Sequence, residues 1–164
     1  MITMKSIGLI CNIIMAKTLG YMITFTTYGT WLQGDKRGYV KEGRIYPENK
    51  TLRQINERLR SQGVVILSKI QQQIVREAIT KEADAQKQHI YALSVKPNHV
   101  HIVVQNSWQP IGKIVAYYKK AARVALKAAG HNGKLWTRGY DKRFCFDNES
   151  LEQRIKYVRS HNPA

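Results

Sequence analysis

The sequence predicts an α+β domain built around an antiparallel sheet. Segments rich in β-branched and aromatic residues are typical of strands, and segments with apolar residues every three or four positions are typical of amphipathic helices. Along the 164 residues these segments follow the order strand, helix, strand, strand, helix, strand, and a final helix follows them. This order predicts a ferredoxin-like sheet with helices on one face, together with an additional C-terminal helix.

The first strand is predicted at residues 21–27, and a turn with two glycines follows it at residues 28–35. Two aromatic residues in this turn, Tyr28 and Trp31, would either stack on unpaired bases or anchor the loop to the core, and both alternatives stay open. Residues 35–67 are polar and basic, which favours a loop insertion with one helical piece at about residues 52–59.

The first long helix is predicted to begin after Ser68, which forms a capping-box pattern with Gln71, and to run to about residue 86. Its apolar positions are Ile70, Ile74, Val75, Ala78, Ile79 and Ala83. A strand at residues 89–95, a turn at residues 96–98 and a further strand then predict a hairpin.

The second arm of this hairpin begins with His99 and His101. Alternation places these two imidazoles on one face of the strand, whereas Val100, Ile102 and Val104 lie on the other face. Neutral imidazoles that stand side by side can share a metal ion. The alternative is a solvated or hydrogen-bonded pair, which is the more common role of such a spacing.

The next helix is predicted from Pro110 to Gly130. Its apolar face would cover the sheet, and its second face would contact DNA. The apolar face contains Ile111, Ile114, Val115, Tyr118, Ala122, Ala125 and Ala129, and the second face contains Lys113, Tyr117, Lys120 and Lys127. A segment that includes Arg138, a further predicted DNA contact, leads to a short strand near residues 143–146.

The last helix is predicted at about residues 149–161, with Asn148 as its N-cap. Leu151, Ile155 and Val158 form its apolar stripe. Tyr157 lies roughly 120° from the middle of this stripe, because successive helical residues are about 100° apart. His161 shares the edge of Tyr157, so both side chains are expected to face away from the core.

The composition predicts an anionic partner. Lys and Arg number 27 against 11 Asp and Glu, a formal net charge of +16. Nucleic acid is the first expectation, and an anionic membrane surface is the second. Two cysteines, Cys11 and Cys145, are too few for a disulfide framework or a zinc ribbon, which favours a reducing, cytoplasmic setting.

The amino-terminal residues 1–14 contain a short apolar run that is too short to span a bilayer. We expect them to form a peripheral extension, with the natural start at Met15 or Met22. Residues 15–164 are then expected to form a single domain.

Four segments together resemble the single-tyrosine HUH transposases, in particular the REP-associated tyrosine transposases and their insertion-sequence 200 relatives. The segments are Thr-Tyr-Gly-Thr-Trp at residues 27–31, Asn-His-Val-His at 98–101, Leu-Trp-Thr at 135–137, and the tyrosine of the last helix. The resemblance implies that Tyr157 is the nucleophile and that His99 and His101 bind Mg²⁺ or Mn²⁺. His161 stands where the family usually has Gln or Asn as the third ligand, and Asn162 lies one position too far. Because imidazole also binds metals, we expect His161 to be the third ligand.

The implied function is metal-dependent nicking and joining of single-stranded or hairpin DNA through a 5′-phosphotyrosine intermediate. Of the other tyrosines, Tyr118 is expected in the core, and Tyr117 is expected to contact DNA. One alternative is a domesticated DNA-binding protein without catalysis, and another is an RNA-binding sheet protein. No membrane partner is expected, a homodimer is left open, and the expected location is the nucleoid in the cytoplasm.

Overall fold

The computed structural model describes residues 18–31, 34–41 and 44–161. The predicted extension at residues 1–14, the alternative start at Met15, and Asn162 lie outside these residues. In chain order the elements are β1 Gly20–Thr26, β2 Tyr39–Lys41, β3 Arg44–Tyr46, α1 Lys50–Leu59, α2 Lys69–Ala85, β4 Ile90–Val95, β5 His99–Gln105, α3 Ile111–Ala128, β6 Asp141–Cys145 and α4 Asn148–Ser160.

The main sheet contains four strands in the order β4-β5-β1-β6, and every neighbouring pair is antiparallel. With α2 between β1 and β4, and α3 between β5 and β6, this is the ferredoxin-like arrangement that the element order predicted. The α+β prediction is therefore confirmed, and the C-terminal helix α4 is present.

Helices cover both faces of this sheet. On one face, Val100, Ile102 and Val104 of β5 join a core cluster with buried residues of α2 and α3. On the other face, Val103 packs in a smaller cluster with Leu151 and Val158 of α4. Strand β5 is therefore buried on both sides, and α4 lies across the face to which His99 and His101 point.

The region predicted as a loop insertion has more regular structure than expected. Strands β2 and β3 form a two-stranded hairpin, and α1 begins after Asn49, whose side chain accepts a hydrogen bond from the backbone of Leu52. The predicted helical piece is confirmed. Each of the two strands is three residues long, which is too short for alternation to identify from sequence.

Several helix details differ from the prediction. Ile70 is 75% exposed because it lies about 140° around α2 from the buried Val75, whereas Leu126 of α3 is buried although it was not predicted. Ala129 is exposed just beyond the end of α3. The N-cap of α4 is Asp147, not Asn148, and its carboxylate accepts a hydrogen bond of 2.7 Å from the backbone of Ser150.

Among the helices of the described residues, none has the length and apolar character needed to cross a membrane.

Candidate active site and nucleic-acid interface

Residues from β5 and α4 meet on the face of the sheet that α4 covers. The ring centroids of His99 and His101 are 4.7 Å apart. The ring of Tyr157 lies 5.7 Å from that of His101 and 4.4 Å from that of His161, and the rings of His101 and His161 are 5.9 Å apart. The structure therefore brings together the four side chains that the sequence singled out for catalysis and metal binding. We call these four residues the His–Tyr cluster.

Contacts on both sides of Tyr157 fix α4 against the sheet. Val158, the next residue, is fully buried against Val103 and its neighbours. Arg159 donates a hydrogen bond of 3.2 Å to the carbonyl oxygen of Tyr91, and Ser94 donates one of 3.3 Å to the carbonyl oxygen of His161. Tyr157 itself is 45% exposed, so its ring is accessible while its backbone is held.

Hydrogen bonds determine which nitrogen of the His99 and His161 imidazoles is available. The Nδ1 atom of His99 lies 2.7 Å from Asn98 Oδ1, and that of His161 lies 2.7 Å from the carbonyl oxygen of Tyr157. Carbonyl oxygens only accept, so Nδ1 donates in both rings and Nε2 keeps its lone pair in the neutral form. The Nδ1 atom of His101 is 2.8 Å from Thr24 Oγ1. Such partners orient metal-binding imidazoles in many proteins.

Burial keeps the two strand imidazoles neutral. Burial lowers the pKa of His101 to about 4, with the charges of His99 and His161 acting in the same direction and Asp141 opposing them. The pKa of His99 is also lowered, first by burial and then by His161, Lys96 and Arg37. Because a histidine must be deprotonated to bind a metal, both rings are in the ligand form at neutral pH.

The donor chemistry of these side chains fits a divalent cation. His99 and His101 are adjacent and neutral, His99 has Nε2 available, and His161 has the same arrangement of its Nδ1 atom. Within the described residues, however, no group of three His, Cys, Asp or Glu side chains is close enough to form a complete metal cluster. The strand pair therefore fits two positions of a cation site, and His161 stands next to it.

An aromatic groove of about 510 Å³ adjoins the His–Tyr cluster on the side of β1 and β6. Thr24 and Thr26 connect the two sites, because they line the groove and pair in register with His101 and His99. The groove residues that can contact a base or a phosphate are Tyr28, Trp31, Tyr39, Arg60, Arg138 and Tyr140. Arg138 therefore lines the groove, and its contact with DNA stays a prediction.

Tyr28 and Trp31 have the features of both predicted alternatives. The hydroxyl of Tyr28 accepts a hydrogen bond of 3.1 Å from the backbone of Ser61, and the indole N–H of Trp31 donates one of 2.8 Å to the carbonyl oxygen of Gly38. These bonds anchor the loop. Both rings nevertheless line the groove, so an anchored ring can still offer a surface to a base.

The remaining predicted DNA contacts lie elsewhere. Lys113, Tyr117, Lys120 and Lys127 are exposed on α3, which covers the opposite face of the sheet from α4. None of these four residues is among the described residues that line the aromatic groove. Tyr118 is fully buried, as predicted, and its hydroxyl donates to Gln88 Oε1 at 2.5 Å, which excludes it as a nucleophile accessible to DNA.

The structure adds residues that sequence reasoning missed. Asn98 and Thr24 orient the two strand imidazoles, and Asp141 and Arg37 lie close enough to influence their pKa values. Asn98 could have been found from its position directly before His99. Thr24 requires the register of β1 against β5, which the sequence does not provide.

Comparisons with known proteins agree with this architecture. The family model Y1_Tnp, described as IS200-like transposase, matches residues 59–161, more than half of the chain. A solved structure of a REP-associated tyrosine transposase bound to a REP hairpin aligns with a TM-score of 0.52 at 12% identity, over 86% of this chain. The chain spans 64% of the length of that relative. At such an identity, this match shows a shared fold alone.

A crystal structure of a candidate transposase from Deinococcus radiodurans R1 aligns with a TM-score of 0.46 at 17% identity, over 90% of this chain and 93% of that one. The search of curated proteins found no match.

Proposed function

The chain belongs to the IS200-like transposase family, and from this membership we propose that it cuts and rejoins single-stranded DNA through Tyr157. The observation that carries the proposal is the convergence of Tyr157 with His99, His101 and His161, which come from two elements that are distant in sequence. The sequence resemblance to this family is confirmed by the family match.

In the proposed reaction, the phenolic oxygen of Tyr157 attacks the phosphorus of a phosphodiester. A bond forms between that oxygen and phosphorus, the bond to the 3′-oxygen breaks, and the 3′-oxygen leaves as a hydroxyl. The phenolic proton passes to solvent, and solvent supplies the proton of the new hydroxyl. The resulting 5′-phosphotyrosine retains the energy of the broken bond, so a second 3′-hydroxyl can rejoin the strand without ATP.

We assign a divalent cation, Mg²⁺ or Mn²⁺, to His99 and His101, with His161 as the third ligand. When bound, the cation would neutralise the negative charge that develops on the phosphate. The side chains of Asn98 and Thr24 hold the imidazoles so that each Nε2 can bind it. Three imidazoles would also accept Zn²⁺.

The DNA partner is proposed to be single-stranded or hairpin DNA. The REP-associated relative with this fold is bound to a REP hairpin, and the chain carries a net charge of +16. Tyr28 and Trp31 would stack on unpaired bases in the aromatic groove, and Arg138 would bind a phosphate. The basic face of α3 would contact the backbone of a longer hairpin on the opposite side of the sheet.

A second candidate function is DNA binding without catalysis. It is favoured by the lack of a complete three-ligand cluster among the described residues and by His161 at a position where relatives usually have an amide. Both functions use the same fold and the same charge, and they differ in whether a covalent bond to DNA forms.

The test is incubation of the protein with end-labelled hairpin DNA and Mn²⁺, followed by a denaturing gel. We expect a labelled species that migrates with the protein and disappears after protease treatment. The label must be on the strand segment 3′ of the cut, because Tyr157 would be joined to a 5′-phosphate. Tight DNA binding without any such species would support the non-catalytic alternative.

A further inference from the structure

A second cavity, of about 310 Å³, opens next to the His–Tyr cluster on the side of β4. Since β4 and β6 are the two edges of the sheet, this cavity and the aromatic groove lie on opposite sides of the cluster. Its polar lining consists of Lys69, Gln72, Gln73 and Arg76 of α2, Lys96 of the β4–β5 turn, and His161. We call it the basic cavity.

The arrangement of α2 creates this basic cavity. Lys69, Gln72, Gln73 and Arg76 recur at intervals of three and four residues, so they share one helix face. Arg76 is fixed in place by a hydrogen bond of 3.0 Å from its Nη1 atom to the carbonyl oxygen of Leu93. The face therefore presents cations and amides toward the sheet edge.

The charge of the basic cavity is unbalanced. The cations Lys69 and Lys96 line it, and no carboxylate is found among the described residues of its lining. Cations that converge without an acid repel one another, and an anion in their midst removes this cost. Lys96 also lies close enough to the cluster to lower the pKa of both His99 and His101.

We propose that the basic cavity binds a phosphodiester of the cleaved DNA strand. This phosphodiester neighbours the one that Tyr157 cleaves. This inference rests on the proposed function and identifies a contact that the aromatic groove does not supply. The ligand is an anion rather than a base, because the described residues of the lining include no Phe, Tyr or Trp, whereas five such rings line the groove. His161 is common to the cavity and the cluster, which places the bound phosphate beside the reacting one.

A phosphate bound in the basic cavity gives the strand a defined path. Bases are bound on the β6 side of the cluster and the backbone is bound on the β4 side, so the strand crosses the sheet with its scissile phosphate between the two. Arg76 would contribute a planar guanidinium suited to phosphate, and the two lysines would contribute mobile point charges.

The first experiment measures DNA binding without metal at a series of salt concentrations. The variant Lys69→Gln combined with Lys96→Gln removes two cavity charges and keeps Arg76, whose bond to Leu93 supports the fold. The matched control is Lys81→Gln, an exposed lysine of α2 outside the cavity. Because each phosphate contact on a single strand contributes about −0.7 to the slope of log K against log salt, the double variant should be less steep by about 0.7. The Lys81→Gln slope should equal that of wild type, and equal slopes for the double variant and Lys81→Gln would overturn the proposal.

The second experiment identifies the DNA as the source of the anion. Hairpin substrates carry one uncharged methylphosphonate linkage, placed in turn at each position around the cut. At one position next to the cut, the methylphosphonate should lower the affinity of wild type for the hairpin. It should not lower the affinity of the double variant any further, because the methylphosphonate and the two substitutions remove the same contact. Equal losses in both proteins at every position would reject a strand phosphate in this cavity.

Both experiments measure DNA binding, so their results are independent of catalysis. If wild type shows the expected binding differences but no covalent adduct, the cavity assignment stands and the proposed catalysis fails. If wild type forms the adduct and the differences are missing, the cavity assignment fails and the proposed function stands.

Discussion

Asn98 and the carbonyl oxygen of Tyr157 have equivalent effects on His99 and His161. Each accepts a hydrogen bond from Nδ1 at 2.7 Å and so directs Nε2 outward. The bond to Tyr157 also means that the nucleophile and the proposed third ligand belong to one turn of helix. A small movement of this turn would shift both groups together relative to the strand imidazoles.

Tyr157→Phe is expected to abolish the covalent adduct and to leave hairpin binding nearly unchanged. The substitution removes one hydroxyl from a side chain that is 45% exposed, so little packing is lost. Gel analysis of the adduct and a binding titration measure the two effects. Tyr117→Phe, on the exposed face of α3, is the matched control. An adduct that persists in Tyr157→Phe and disappears in Tyr117→Phe would reassign the nucleophile.

His161→Ala should weaken Mn²⁺ activation of cleavage by about 10- to 100-fold, which is typical of lost support at a metal site. His161→Gln restores the residue usual in the family, so it should recover much of the activity with a shift in preference toward Mg²⁺. Titrations of cleavage against each metal provide the measurement. Three superimposable curves would mean that His161 is only the end of a helix.

Asp35→Asn should destabilise the protein at neutral pH. Hydrogen bonds from Arg37 at 2.8 and 2.9 Å are the main reason that the pKa of Asp35 is lowered to about 2. A lowered pKa contributes stability that is fully present above the ordinary value of about 3.9 and is lost as the pH falls through about 2. The difference in free energy of unfolding between wild type and Asp35→Asn should therefore shrink in acid. Urea unfolding at about pH 7 and about pH 3 tests this, and an equal difference at both pH values would contradict it.

Local patterns were sufficient to predict much of the site. Alternation in β5 predicted the His99–His101 pair, and helical spacing predicted that Tyr157 and His161 share an edge. The contacts of Thr24 and Arg37 could not be predicted, because they depend on strand register and loop placement, which arise only when distant segments pair. At the level of elements, the same reasoning explains why the long helices were predicted and the two three-residue strands were not.

Among the elements, α4 has two structural roles. Leu151 and Val158 close the second core cluster, and the same helix presents Tyr157 to the strand imidazoles. Packing and chemistry are therefore linked through adjacent residues, with Val158 directed inward and Tyr157 directed outward.

Val158→Ala is expected to lower the free energy of unfolding by about 2 kcal/mol, since each buried methylene contributes ~0.8 kcal/mol and the remaining cavity adds to the loss. Adduct formation should slow because Tyr157 is less firmly positioned. Val124→Ala, at a position of α3 that is 54% exposed, should change neither property. Denaturant unfolding and the rate of adduct formation are the measurements, and full activity in a destabilised Val158→Ala would separate packing from positioning.

For the whole molecule, the net charge of +16 predicts strongly salt-dependent binding. Several phosphate contacts at about −0.7 each give a slope of log K against log salt steeper than roughly −3. Single-stranded or hairpin DNA should be preferred over plain duplex, because the aromatic groove requires unpaired bases. Titrations with each DNA at increasing salt test both points. A nearly flat dependence would contradict an electrostatic origin of the affinity.

The dual role of α4 restricts how such a protein can lose its activity. Removal of the helix would delete Tyr157, but it would also uncover Met22, Val103 and Cys145 on the sheet, and exposed apolar surface of this kind promotes aggregation. Shortening the chain before α4 would therefore yield an insoluble product rather than a silent binder. A host that adopted the DNA-binding surface and discarded the cutting reaction would have to retain α4 and replace Tyr157 itself.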